Sequence, residues 1–191
     1  MTPRLETARL LLLPLELADA NQVQELFAQW EIVRYLNAVV PWPYPADGAL
    51  AYIRDHALPA IARGELWCWT LRLKAAPERV IGAITLAGKE DENRGFWLDP
   101  KQQGRGLMME ACDAVTDYWF EVLEKPVLRA PKAVANEASR RISVKQGMRI
   151  VSREERDYVS GCLPSETWEI TAEEWRRRKK ERFTGLAGSS A

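Results

Sequence analysis

Two periods divide the chain. Where apolar residues alternate with polar ones the pattern predicts strands, and where they return every third or fourth residue it predicts helices. Arg9 to Leu15 is short, leucine-rich and halted by Pro14, which reads as an opening strand. A helical spacing follows from Asp19 to Tyr35 through Val23, Leu26, Phe27, Trp30, Ile32 and Val33, with a break expected near Trp30. Pro41, Pro43 and Pro45 alternate with Trp42 and Tyr44, forbid helix and central strand alike, and leave a stiff aromatic loop. Asp47 is placed to cap a helix that ends near Arg63 at Gly64, with a kink at Pro59.

The period then changes. Leu66 to Lys74 and Arg79 to Ala87 read as hairpin strands around Ala75-Ala76-Pro77-Glu78, with Gly82 marking a bulge and Gly88 a turn. Arg94 to Leu98 is the next strand, Leu107 to Leu123 a helix, Val127 to Lys132 a strand, and Glu137 to Gln146 a helix stopped by Gly147. Met148 to Tyr158 and Thr167 to Thr171 form a closing strand pair, with Ser160 to Pro164 as a turn. The last helix, Thr171 to Phe183, carries Glu173 and Glu174 early and Arg176 to Lys180 late, as the macrodipole favours. Thr184 to Ala191 is small and polar and is expected to be disordered. Together these elements predict a mixed α/β sheet covered by helices, in one domain over residues 1–183.

Composition narrows the function. A chain of 191 residues, 47% hydrophobic, supports a single sizeable core. Its 27 basic and 27 acidic side chains cancel, so no whole-protein field draws it to nucleic acid or to an anionic membrane, and any phosphate site must be local. Cys68, Cys112 and Cys162 lack metal-ligand spacing and leave one unpaired, which argues against a disulfide framework or a metal site and for a reducing compartment. The apolar run Leu10 to Leu13 is too short for a signal or a membrane span, so a cytoplasmic protein is expected.

The most informative stretch is Pro100-Lys101-Gln102-Gln103-Gly104-Arg105-Gly106-Leu107, between a strand and a helix. Glycines at 104 and 106 permit positive φ and close backbone approach, and the first N–H groups of the following helix face outward to bind an anion, pyrophosphate above all. A dinucleotide fingerprint is excluded because the third glycine and the acidic residue ending a second strand are missing, and a P-loop because no Gly-Lys-Ser/Thr follows. Beyond the turn come Glu110-Ala111 and then Asn136-Glu137-Ala138-Ser139.

With Thr7-x-Arg9-Leu10-x-Leu12, Gly95-Phe96-Trp97-Leu98-Asp99-Pro100 and Ile170-Thr171-x-x-Glu174-Trp175, these motifs resemble the GNAT superfamily of acyl-CoA-dependent N-acyltransferases, and within it the RimJ/RimL type, over nearly the whole chain. Lys101 and Met148 depart from the family pattern, the latter where Phe is common. The resemblance implies a GNAT-like, mostly antiparallel sheet of six to seven strands with helices on both faces and a parallel splayed pair, Arg94 to Leu98 beside Val127 to Lys132. Acetyl-CoA would lie in that splay, held by Gln103, Gly104, Arg105, Gly106, Leu107 and Met108. A backbone N–H of Trp97 or Leu98 would polarise the thioester carbonyl. Asn136 would orient the amine, a water or the pantetheine arm, and Ser139 would hydrogen-bond or protonate the sulfur. A purely structural role stands beside this, with Asn136 capping the helix and Ser139 bonding back within its first turn.

The acceptor implied is a primary amine, of a small molecule or a protein N-terminus. An α-amine, with a pKa of about 7.7 to 8.0, needs less help than a lysine near 10.4. Glu92, with Asp91, is placed to take the amine proton through water, and Trp42 and Tyr44 to wall the acceptor pocket. Glu110 reads equally as a partner of the sheet and stays outside the catalytic set, and Asp99 braces the turn. His56, Cys112 and Cys162 read as packing or surface residues, and Trp67 and Trp69, two apart, share a core face. No Cys-His or Ser-His arrangement supports a covalent intermediate, so direct attack in a ternary complex is expected, with no metal. A homodimer is left open. The alternative from another class is an acyl-CoA-binding sensor or interaction module without turnover.

Overall fold

A computed structural model describes residues 1–187. Its strands form two antiparallel sheets. The first holds β1 (Leu5–Glu6), β2 (Leu10–Pro14), β3 (Leu66–Leu73), β4 (Ala76–Ala87) and β5 (Arg94–Leu98) in that order. The second holds β6 (Val127–Ala133), β7 (Arg149–Tyr158) and β8 (Gly161–Thr171) in the order β6-β8-β7. Helices α1 (Ala20–Phe27), α2 (Trp30–Val33), α3 (Gly48–Tyr52) and α4 (Leu58–Ala62) precede β3. α5 (Leu107–Asp117) and α6 (Glu137–Gln146) flank β6, and α7 (Ala172–Ala187) follows β8.

Alternation along β3 puts helices on both faces. Trp67, Trp69 and Leu71 join Leu10, Leu12, Ile84 and Leu86 against Leu107, Ala111 and Val115 of α5. Cys68, pointing the other way, packs in a cluster with Leu15, Val23 of α1, Ala49 of α3 and Ile53 just past it. The break near Trp30 is present: Ala28 and Gln29 leave helical geometry between α1 and α2. Pro59 has no N–H and its ring crowds the carbonyl one turn back, and the chain absorbs both by widening into a π turn, Ile53–Ala57, just before it. Gly64, at φ +73°, then ends the helix as the spacing predicts.

Three expectations need correction. The sheet of six to seven strands is, among the described residues, eight strands split five and three, because the two-residue β1 is too short to show a period and β8 begins at Gly161, so Cys162 to Pro164 are strand. The bulge expected at Gly82 falls beside it: Leu71 pairs with Gly82 but Arg72 with Val80, leaving Ile81 as the extra residue. Gly82 is needed for another reason, since a Cβ there would stand 2.5 Å from the Trp97 carbonyl oxygen. Finally, no parallel splayed pair is present among the described residues. β5 and β6 share no ladder; their backbones are joined just before β5, where the Asn93 N–H donates to the Arg129 carbonyl at 2.8 Å and the Arg129 N–H to Asn93 Oδ1 at 2.6 Å. A side-chain amide stands where a ladder would need a backbone carbonyl, and beyond it Lys132 of β6 reaches across to within 5.0 Å of the Phe96 ring centre on β5.

α7 is tied down at its start. Thr171 and Glu174 form a reciprocal capping box, with the Thr171 N–H donating to Glu174 Oε2 at 2.8 Å and the Glu174 N–H to Thr171 Oγ1 at 3.2 Å. Trp175 is buried and donates to Asp117 Oδ1 at 2.8 Å, docking α7 near the end of α5. The helix runs past the expected end at Phe183 to Ala187, and residues 188–191 of the expected tail lie outside the described residues.

Candidate active site

The glycine-rich turn leaves β5 through a short 3₁₀ turn, Pro100–Gln102, which Asp99 braces by accepting the Lys101 N–H at 3.0 Å. Gly104 and Gly106 then take φ +74° and +76°, a region closed to most L-residues, and Gly106 caps α5. From Gly104 to Met109 no backbone N–H finds a protein acceptor among the described residues, and the ladder resumes only where Glu110 donates to the Gly106 carbonyl. Open donors at a helix start, on residues exposed at Gly104 to Gly106, make a cradle suited to phosphate oxygens. Arg105 is exposed beside it and bonds Gln102. Gln103 folds back and donates to the Leu98 carbonyl at 3.1 Å.

The Thr7-x-Arg9 motif belongs to this turn. The Glu110 carboxylate accepts from the Thr7 hydroxyl, from the Arg9 N–H at 2.8 Å and from Arg9 Nε at 2.7 Å, while Arg9 Nη1 donates to the Arg105 carbonyl at 2.9 Å. Burial works against this carboxylate, but the bonds from Thr7 and Arg9 outweigh it and hold Glu110 below the ordinary glutamate range. Glu110 is thus a structural partner that ties the loop to the sheet edge.

On the other side of β5 the gap between the sheets opens into a cavity of ≈ 550 Å³. Glu92, Phe96, Lys132, Asn136, Ser139 and Tyr158 are among its lining residues. β7 closes one side, where the Ala38 N–H reaches the Asp157 carbonyl at 3.2 Å and the Val159 N–H the Leu36 carbonyl at 3.0 Å. The Asp99 N–H is spent on the Ile81 carbonyl of β4, so by strand alternation the Leu98 N–H points away from β4 and the Trp97 N–H toward it.

Of the residues predicted for the site, Glu92, Asn136 and Ser139 line this cavity, and Gly104 to Met108 lie in the open N–H run past the end of β5, whereas the Gln103 N–H is spent on the Pro100 carbonyl at 3.3 Å. Asn136 caps α6, its Oδ1 accepting the Ser139 N–H at 3.2 Å. The Ser139 hydroxyl is left to another partner, Lys132 Nζ, at 2.8 Å. Glu92 faces Lys89 at 3.1 Å, and Asp91 is held by Arg129 Nη1 at 2.8 Å. Trp42 and Tyr44 are not among the lining residues. Trp42 leans on Trp30, ring centres 5.4 Å apart, and Tyr44 packs edge-on against Phe27 at 5.0 Å.

Lys132 and Arg94 are not among the residues that the sequence predicts for the site. Both are almost fully buried, at 5% and 4% exposure, and both line the cavity. Arg94 donates from Nη1 to Thr116 Oγ1 at 2.8 Å and approaches Met148 Sδ, while its Nε has no partner. Burial, with the Arg94 guanidinium adding to it, pushes the Lys132 amine down to about 7. The signal was available: Leu128, Ala130 and Lys132 fall on one strand face, and the first two are apolar.

The family model for the acetyltransferase (GNAT) domain matches residues 9–149 of the chain. The chain belongs to the GNAT acetyltransferase family. No curated protein matches this GNAT chain by sequence. Solved structures share its fold at low identity. The ribosomal-protein-S5-alanine acetyltransferase from Vibrio fischeri superposes with TM-score 0.77 at 13% identity, covering 91% of this chain and 98% of its own. RimL, a ribosomal L7/L12 α-N-protein acetyltransferase solved with coenzyme A, gives TM-score 0.76 at 14% identity, covering 90% and 99%. The self-immunity acetyltransferase MccE, solved with acetyl-CoA and AMP, gives 0.71 at 13%, covering 86% and 93%.

The residues of this GNAT chain fit an acyl-CoA. The open N–H run at Gly104 to Met109 suits a pyrophosphate, and Gly104 has no heavy atom within 4 Å of where a Cβ would stand, so a ligand can approach the backbone there. Among the described residues no cluster of three or more His, Cys, Asp or Glu is arranged to hold a metal, and no helix is long and apolar enough to cross a membrane.

Proposed function

We propose that this protein is an acetyl-CoA-dependent N-acetyltransferase that acylates a primary amine by direct attack in a ternary complex. The observation that carries the reading is the unbroken run of acceptorless N–H groups at Gly104 to Met109, set one strand away from a polar cavity that Ser139 lines. Acetyl-CoA bound there would supply an activated acetyl thioester. The cradle and Arg105 would hold its phosphates. The outward-turned Leu98 N–H is better placed than that of Trp97 to polarise the thioester carbonyl, and a donor so fixed needs no reorganisation as charge develops.

Asn136 positions Ser139 through the helix cap, and Ser139 Oγ serves the sulfur as it departs. The cavity lining carries Glu92, Glu154 and Asp157, Glu154 being paired with Arg156 at 2.6 Å, and these carboxylates favour an acceptor that arrives as an ammonium and suit Glu92 to receive its proton through water. A protein N-terminus and a small-molecule amine both meet that description.

Release of free thiol from acetyl-CoA, measured over a panel of amines and of peptides with free N-termini, tests the reading. Turnover on at least one class is expected, with product mass one acetyl group higher. Acetyl-CoA binding without turnover across a broad panel favours the sensor, and absence of CoA binding defeats both.

A further inference from the structure

Lys132 is an unusual residue to find where it is. Its side chain lies between the sheets at 5% exposure, touching the Phe96 ring face and Ser139 Oγ, and no carboxylate forms an ion pair with it among the described residues. The charged and titratable groups around it give little help. Arg94 faces it from β5 and the buried Cys112 thiol from α5. Its register partner on β8, Glu166, is engaged by Arg140 Nε at 2.9 Å and Arg153 Nε at 3.3 Å. A structural lysine would extend its stem and place its amine in water or beside a carboxylate. This one spends its short polar contact on a serine hydroxyl that lines the cavity.

We propose that Lys132 stores the proton delivered to the departing thiolate, acting through Ser139 as a positioning residue. The inference rests on the acetyltransferase reading. As the amine nitrogen bonds to the acetyl carbon, the carbon–sulfur bond breaks and its electron pair goes to sulfur. Ser139 Oγ gives its proton to that sulfur and takes one from Lys132 Nζ, leaving the lysine neutral. An acceptor that arrives as an ammonium first gives one proton to water by way of the Glu92 wall, and the attacking nitrogen loses a second by the same route as the amide forms; Lys132 regains one from solvent before the next turnover. The second proton lost by nitrogen balances the one gained by sulfur, and the first is the net proton released. An amine that is neither firmly charged nor firmly neutral near pH 7 suits the task, and burial beside Arg94 tunes Lys132 in that direction.

The test reads the lysine directly and then through kinetics. In the ligand-free protein, NMR titration of ¹³Cε-labelled lysines is expected to show one amine titrating well below the rest, absent from Lys132→Met. With acetyl-CoA and an accepted amine, wild-type kcat is expected to fall as pH rises past that amine's transition, opposite to the rise that acceptor deprotonation produces. Lys132→Met and Ser139→Ala are each expected to lower kcat at pH 7 about 100-fold, with the KM for acetyl-CoA within a few-fold and the falling limb gone. The double variant should be no slower than either single one. Lys132→Arg keeps the charge but cannot release a proton, so it should stay slow. A falling limb that persists in Lys132→Met, full rate in Lys132→Arg, or an acetyl group carried by Lys132 itself would overturn the inference and leave the acetyltransferase reading intact. No turnover by wild type on any amine would overturn both.

Discussion

Replacing Lys132 with methionine should make the protein more stable, and by an amount that depends on pH in a defined way. The folded protein holds this amine at about 7 against an ordinary 10.5. Each unit of difference is worth about 1.4 kcal/mol, so between the two values the folded state forfeits up to about 5 kcal/mol relative to a neutral side chain of similar volume. The sign follows from proton counts. Below pH 7 the lysine is charged in both states and the whole penalty is present. From pH 7 to 10.5 the unfolded chain binds the proton and the folded one does not, so wild-type stability rises with pH. Above that both are neutral and the penalty is gone. The lost bond from Lys132 to Ser139 subtracts about 1 kcal/mol from the gain. Urea unfolding of wild type and Lys132→Met at several pH values should show the variant ahead by a few kcal/mol at pH 6 to 7, with the gap closing toward pH 10.5. A gap that does not change with pH, or a variant less stable than wild type at pH 6, refutes the argument that the amine is held out of water at a cost.

Gly82→Ala should cost about 1–3 kcal/mol and much of the activity, read as a lower Tm and slower thiol release, because the new methyl meets the Trp97 carbonyl at 2.5 Å and forces β4 from β5. Glu110→Gln should cost about 1–3 kcal/mol at pH 7 in urea unfolding through its bonds to Thr7 and Arg9. Since the folded carboxyl sits below 4.5, that difference should fade as pH drops through the folded value, and a difference unchanged down to pH 2 would contradict it. Arg105→Ala should leave Tm unchanged and weaken CoA binding about fivefold or less by calorimetry, the loss shrinking at high salt.

Much of this molecule was legible in its residues. The stripe through Val23, the alternation Trp67, Trp69, Leu71 and the stops at Gly64 and Gly147 each carry a local signal, and the elements follow it. The cradle was legible for the same reason, since glycine at positive φ ahead of a helix is a demand of the backbone itself. What escaped was non-local. Nothing near Arg94 or Val127 states that their strands fail to pair, because that depends on one amide, Asn93, reaching a strand 36 residues away. The proline spacing presents Trp42 and Tyr44 on a stiff loop, and their contacts with Trp30 and Phe27, from elements earlier in the chain, set where the rings lie. A lysine ending a strand ordinarily faces water, and only its register with Leu128 and Ala130 turns Lys132 inward.

The Asn93 amide has a further consequence. In a continuous sheet, a molecule entering between two strands would have to break backbone bonds in pairs and leave their N–H and carbonyl groups facing it. Here the zipper is already stopped at Arg129, and from that stitch onward the edges of β5 and β6 are unsewn. A guest threading the seam breaks no ladder bond and meets edge groups ready to receive it, so admission is governed by side chains, Lys132 and Phe96 first among them.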